Sequence, residues 1–333
     1  IENLEPLART PELLNLSLKS PKSAARQTVV YPDPPLGNHE VELLREFNQA
    51  CQVTTPLFLL TGSPSLQNVL VGLSISEIAP EDQLDAELQK LGLLRTHLDD
   101  CMCDLARFLL ASGADLAYGG DLREGGFTEK LHDLVRLYSE TQPPTDQEPR
   151  LRVENFLAWV SHTGKDDRLL KFMECLEPRR LPLPADVVGE LEIDPHHAGP
   201  PPFPPNTPQS NYLNARCFTA MREEMNRHIA ARILLGGRLT GYSGKYPGLA
   251  EEAYLALRDG LPVYLIGAFG GCTRAIIEAI EGRPPSELSF DGQLRLDEAF
   301  RQNYPAQAKT PYRERVADFN RRAAKTPGIE LID

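Results

Sequence analysis

Five short apolar runs in this chain each stop at glycine or serine, and helical periodicities lie between them. The runs are VLVGLSIS (69–76), ADLAYGG (114–120), ENFLAWVSH (154–162), ILLGG within 232–237, and PVYLIG (262–267). Short apolar runs bounded by turn residues read as buried strands. Strands that alternate with helices are the pattern of a parallel sheet covered on both faces. The expected class is therefore α/β, an open, doubly wound, mainly parallel sheet.

The helices carry their own signals. Leu84, Leu88, Leu91, Leu94, Leu98, Cys101, Leu105 and Phe108 recur at spacings of three and four, which lays one apolar face along a helix or two abutting helices. Gly113 is placed to end it. Thr128 is a candidate cap for a helix whose Leu131, Leu134, Val135 and Tyr138 share a side. Further helices are expected over 211–230, over 248–259 with Leu249, Ala253 and Ala256 inward, and from Thr273 with Ile276, Ile277 and Ile280 on one side. Gly260 and Pro262 punctuate the second of these. The proline-dense stretch 177–208 reads as a long surface insertion. Residues 1–54 read as an irregular arm with a proline-rich turn at Pro32, Pro34 and Pro35, then a short amphipathic helix. A strand is expected at PLFLL (56–60), and helix near 311–325 in the tail. The expected organisation is an arm over 1–54, a main α/β body over 55–282 carrying the insertion, and a helical tail over 283–333. The arm and the insertion are each candidates for a lid or an oligomer contact. The chain begins at Ile1 rather than Met, which leaves open whether it is a piece of a longer protein.

Charge and cysteine usage narrow the function classes. A formal net charge of −12 argues against a general nucleic-acid surface, while leaving room for a local basic pocket. No apolar stretch reaches the roughly 20 residues of a membrane helix. The six cysteines are scattered without a C-x-x-C, the pattern of free thiols in a reducing, cytoplasmic compartment. His196 and His197 are adjacent in sequence and so point apart, and no third ligand accompanies them; no metal is expected.

The strand ends carry the chemistry. In an open α/β sheet they line one edge, and ligands bind where strand order reverses. Gly72, Ser74 and Ser76 close the first run, Gly119 and Gly120 the second with Arg123 behind, and Ser161 and His162 the third. Gly236, Gly237 and Arg238 close the fourth, followed by Tyr242, Lys245 and Gly248; Gly267, Phe269, Gly270 and Gly271 close the fifth. Glycine lets backbone approach a ligand closely. Helix starts near Gly248 and Gly271 offer unpaired N–H groups to phosphate. Arg123 and Arg238 can grip a phosphate or carboxylate with paired bonds. Glu251 and Glu252 are acceptors suited to ribose hydroxyls, and Tyr118 and Phe269 can pack on a base.

The segment ILLGGRLTGYSGKYPGLAEEAYLALRDGLPVYLIGAFGG, together with YGGDLREGGFT at 118–128, resembles the SLOG superfamily, named for the SMF/DprA and LOG proteins. The resemblance covers roughly residues 68–282. It implies a Rossmann-like domain and one of two jobs. LOG-type enzymes cleave nucleoside monophosphates and carry P-G-G-x-G-T-x-x-E with a nearby arginine. This chain has Pro247-Gly248-Leu249-Ala250-Glu251-Glu252, without the second glycine or the G-T pair. Glu251 and Glu252 are the catalytic candidates on that reading. The other job is sensing: SLOG domains of bacterial antiphage proteins look like receptors for NAD-derived signals such as cyclic ADP-ribose isomers, joined to effectors such as TIR domains. YPDPPLG resembles a segment that trails such a TIR-type region. The resemblance thus implies a nucleotide ligand, no required cofactor, a homo-oligomer, and a TIR-type effector in the same or a partner chain.

Overall fold

The computed structural model describes Thr28–Val30, Gln52–Thr54 and most of 66–288; residues 78–89, 142–152 and scattered single positions in that span lie outside the description. The strand expected at 56–60, the first turns of the long leucine pattern and the tail helix near 311–325 also lie outside it. Strand β1 (Thr28–Val30) pairs in parallel with β2 (Gln52–Thr54). The arm thus contributes paired strands, where an irregular segment was expected.

The main chain runs β3 (Leu70–Ser76), α1 (Arg95–Ala111), β4 (Asp115–Gly119), α2 (Phe127–Thr141), β5 (Val153–Leu157), α3 (Trp159–His162), α4 (Asp166–Leu170) and β6 (Leu176–Arg180). It continues through α5 (Ala185–Leu191), α6 (Pro208–Asn226), β7 (Ala231–Gly236), α7 (Gly248–Arg258), β8 (Val263–Ile266) and α8 (Gly271–Ile280). Six strands form one sheet in the order β6-β5-β4-β3-β7-β8, and every pairing is parallel. The expected Rossmann-like α/β class holds. Order runs outward from β3 in one direction through β6, then restarts beside β3 with β7.

Alternation along the strands sends side chains to two cores. Val71, Leu73, Leu116, Tyr118 and Leu157 pack with Leu98 and Met102 of α1 and Leu131 and Leu134 of α2. Ala117 and Phe156 point the other way, into a cluster with Cys217, Met221 and Met225 of α6 and Val187 of α5. A third cluster joins Leu234 to Leu249 and Ala253 of α7 and Cys272 and Ile276 of α8. Burial pushes the Cys217 thiol up to about 12, so it stays an inert packing group.

Two sequence expectations change. The run 154–162 is not one strand: it ends at Leu157, and Trp159–His162 turns into helix, with Trp159, Val160 and Ser161 buried. Ser161 and His162 therefore belong to α3, and the His162 Nε2 pairs with the Leu181 carbonyl at 3.0 Å. Part of the stretch 177–208, expected as a surface insertion, is built into the sheet and its helical layer. It completes β6, supplies α5, and buries Leu183, Val187 and Ile193. Pro178 is tolerated because β6 is the sheet edge, where one side of the ladder asks for no N–H. The stretch ends in a strong helix start. The Thr207 hydroxyl accepts from the Ser210 amide at 3.2 Å, the Ser210 hydroxyl accepts from the Thr207 amide at 3.0 Å, and Pro208 takes the first turn of α6.

Candidate functional site at the strand-order reversal

The reversal lies between β3 and β7. Their C-terminal ends sit side by side, with Ser76 opposite Gly236, and the Gly237 amide continues the ladder to the Ser76 carbonyl at 3.0 Å. In open α/β sheets the crevice that takes a ligand lies outside such a pair of ends. Glu77 follows β3 and Arg238 follows β7. The Arg238 Nη2 donates to the Glu77 Oε2 at 2.8 Å, with side chains 36% and 40% exposed. An exposed pair of this kind is worth about 0–1 kcal/mol, so an incoming anion displaces it cheaply.

One wall of the crevice is the start of α8, stapled to the end of β7. The Cys272 amide donates to the Gly237 carbonyl at 2.9 Å, and the Thr273 hydroxyl to the Gly236 carbonyl at 3.0 Å. Gly271 takes φ +63°, and a Cβ there would lie 2.5 Å from the Gly237 oxygen. These glycines let backbone pack on backbone. Gly270 and Gly241, by contrast, also have positive φ but open space where a side chain would be.

Below the crevice lies a network of four buried charges. Arg232, fully buried on β7, donates from Nη1 to Ser74 Oγ at 2.8 Å and Glu252 Oε2 at 2.9 Å, and from Nη2 to Asn226 Oδ1 at 2.7 Å. Arg222 of α6 donates from Nε to Glu252 Oε1 at 3.2 Å and from Nη1 to Glu251. The Thr219 hydroxyl also donates to Glu251. Two arginines and two carboxylates balance, which is what makes burial tolerable. Burial pulls the Arg232 guanidinium below the ordinary arginine value, against the opposing Glu252 charge. Burial acts the same way on Arg222, but the Glu251 and Glu252 charges outweigh it and hold that guanidinium above the ordinary value. Gly248 and Gly244 lie against Arg222, where a Cβ would come within 2.9 and 3.4 Å of the guanidinium. The network thus braces the first turn of α7 and the loop before it.

The structure gathers Ser74, Ser76, Gly236, Gly237, Arg238, Gly248, Glu251, Glu252, Gly270 and Gly271 around this reversal. Glu251 and Glu252 are buried acceptors already engaged by arginine. Tyr242 is half-buried, and Lys245 lies outside the described residues. Gly119, Gly120 and exposed Arg123 follow β4, one strand away. There Gly120 presses on Tyr118 and Thr128, and the Gly125 amide donates to the Glu129 Oε2 at 2.6 Å ahead of α2. Gly72 sits mid-strand, where a Cβ would meet Ile229 at 2.8 Å, and Gly267 packs on Ile277. Tyr118 and Phe269 are both buried in the first core cluster, which leaves neither ring open to a base. Sequence reasoning passed over Arg222, Asn226, Arg232 and Thr240. Arg232 had a signal: it is a lone charge heading an apolar run, and it pairs with Glu252, one of two adjacent glutamates early in a mostly apolar helix.

A family model described as SLOG cluster2 matches residues 65–328, more than three quarters of the chain. A search of curated proteins finds no match.

Proposed function

The chain belongs to the SLOG cluster2 family, a nucleotide-related group, and from that premise we propose that it is a ligand-sensing domain that binds a nucleotide in the β3–β7 crevice. The observation that carries the reading is the position of Arg238. It stands at the strand-order reversal, half-exposed, and pairs with the half-exposed Glu77 carboxylate, which phosphate can replace. The buried state of Glu251 and Glu252 favours sensing over hydrolysis. A catalytic glutamate has to reach the substrate, and these are bonded to Arg222, Arg232 and Thr219. The ligand class, on the resemblance to antiphage SLOG domains, is an NAD-derived or cyclic nucleotide such as a cyclic ADP-ribose isomer. Binding would favour one oligomeric arrangement through differential affinity, and so control an attached or partner effector.

The test is retention and turnover by mass spectrometry. The purified chain is incubated with AMP, NAD, ADP-ribose and cyclic ADP-ribose isomers, and bound ligand is separated from free. One nucleotide is expected to be retained and recovered intact. Arg238→Ala should weaken it roughly ten- to hundred-fold, the loss of a charged hydrogen bond. Release of base and ribose phosphate, stopped by Glu251→Gln or Glu252→Gln, would establish hydrolysis instead.

A further inference from the structure

Thr240 lies two residues beyond Arg238, in the loop that joins β7 to α7. It is 8% exposed, and its hydroxyl is buried with no hydrogen-bond partner. A buried hydroxyl left unpaired is costly, and native structures rarely keep one without a use for it. Its neighbours are packed differently. Leu239 packs against the α7–α8 cluster and anchors the chain on one side. Gly241, on the other side, is exposed, takes φ +61°, and has nothing within 4 Å of where a side chain would stand.

We propose that Thr240 is a phosphate-binding residue of the crevice, with its hydroxyl stored inside the closed loop and turned outward to donate to a phosphate oxygen of the nucleotide. The assignment rests on the nucleotide reading above. It deepens that reading by naming a second phosphate contact beside Arg238 and a loop motion that accompanies binding. Closed, the loop carries the cost of an unpaired hydroxyl. Open, with phosphate present, that cost is removed. The ligand's preference for the open loop is thus built into the unliganded state.

The experiment compares wild type, Thr240→Val and Thr240→Ser by calorimetric titration with AMP, ADP-ribose and adenosine, and by thermal melting without ligand. Valine keeps the shape and deletes the hydroxyl. The expected result is a Tm raised by about 2–4 °C for Thr240→Val, as the unpaired group disappears. The same variant should bind AMP and ADP-ribose about ten-fold more weakly, with Thr240→Ser restoring affinity and adenosine binding unchanged. A lowered Tm in Thr240→Val means that the hydroxyl has a structural partner, and overturns the proposal. Equal nucleotide affinity in wild type and Thr240→Val also overturns it, while leaving the nucleotide reading standing. An equal loss for adenosine moves the contact to ribose and removes the phosphate assignment. If wild type binds no nucleotide, the reading and the assignment fall together.

Discussion

Replacing Arg232 by methionine is expected to cost about 3–5 kcal/mol of folding stability, the effect of removing one partner from a buried ionic cluster. Ordinary domains hold only about 5–15 kcal/mol in total. The size follows from what Arg232 serves. It reaches Ser74 on β3, Asn226 on α6 and Glu252 on α7, so its loss strips three elements of one shared donor. Glu252 would keep only the 3.2 Å contact from Arg222 as compensation for its buried charge. The double variant Arg232→Met with Glu252→Gln should recover part of the loss, with a coupling of about 1–3 kcal/mol between the two positions. Urea denaturation of the single and double variants measures this. A cost below about 0.5 kcal/mol for Arg232→Met would mean that apolar packing alone holds α6 and α7 on the sheet. The same variant should also impair ligand binding, because the network braces the loop and first turn that border the crevice.

The second large effect separates two glycines with nearly the same backbone. Gly271 has φ +63° and Gly241 has φ +61°, so alanine at either is penalised by roughly 1–2 kcal/mol for the left-handed conformation. Only at Gly271 does the new Cβ meet a backbone oxygen, that of Gly237 at 2.5 Å. Neither backbone can yield without breaking the Cys272–Gly237 hydrogen bond that holds α8 to the end of β7. Gly271→Ala is therefore expected to lose at least twice the stability that Gly241→Ala loses, by thermal or urea melts. Equal losses would show that the contact between β7 and α8 is soft, and would weaken the account of this wall as rigid.

The strands that end at glycine were legible because each combines a short apolar run with a turn residue, and the helices because leucine spacing marks one face. β3, β4, β7 and β8 begin and end within a residue or so of where the sequence places them. The C-terminal edge was read as the candidate site from the same pattern. What stayed hidden was hidden for physical reasons. β6 reads LEPRR, with a proline and two arginines, and only its edge position makes that composition acceptable. The turn from β5 into α3 is set by burial of Trp159, a tertiary effect with no local signal. Glu251 and Glu252 read as acceptors suited to ribose hydroxyls because their actual partners come from α6 and β7, separated by 20 to 30 residues. Gly236, Gly237 and Gly271, read as candidates to cradle phosphate, also have a packing role: a Cβ at any of them would collide with backbone or core side chains.

Hydrogen exchange read by mass spectrometry tests the central claim most directly, with the retained nucleotide at saturation and without it. The account predicts new protection in peptides covering 236–248 and 270–274, the loop and helix start that border the β3–β7 crevice. Protection confined to 119–128 beyond β4, or bound nucleotide with no change at the crevice, would contradict it.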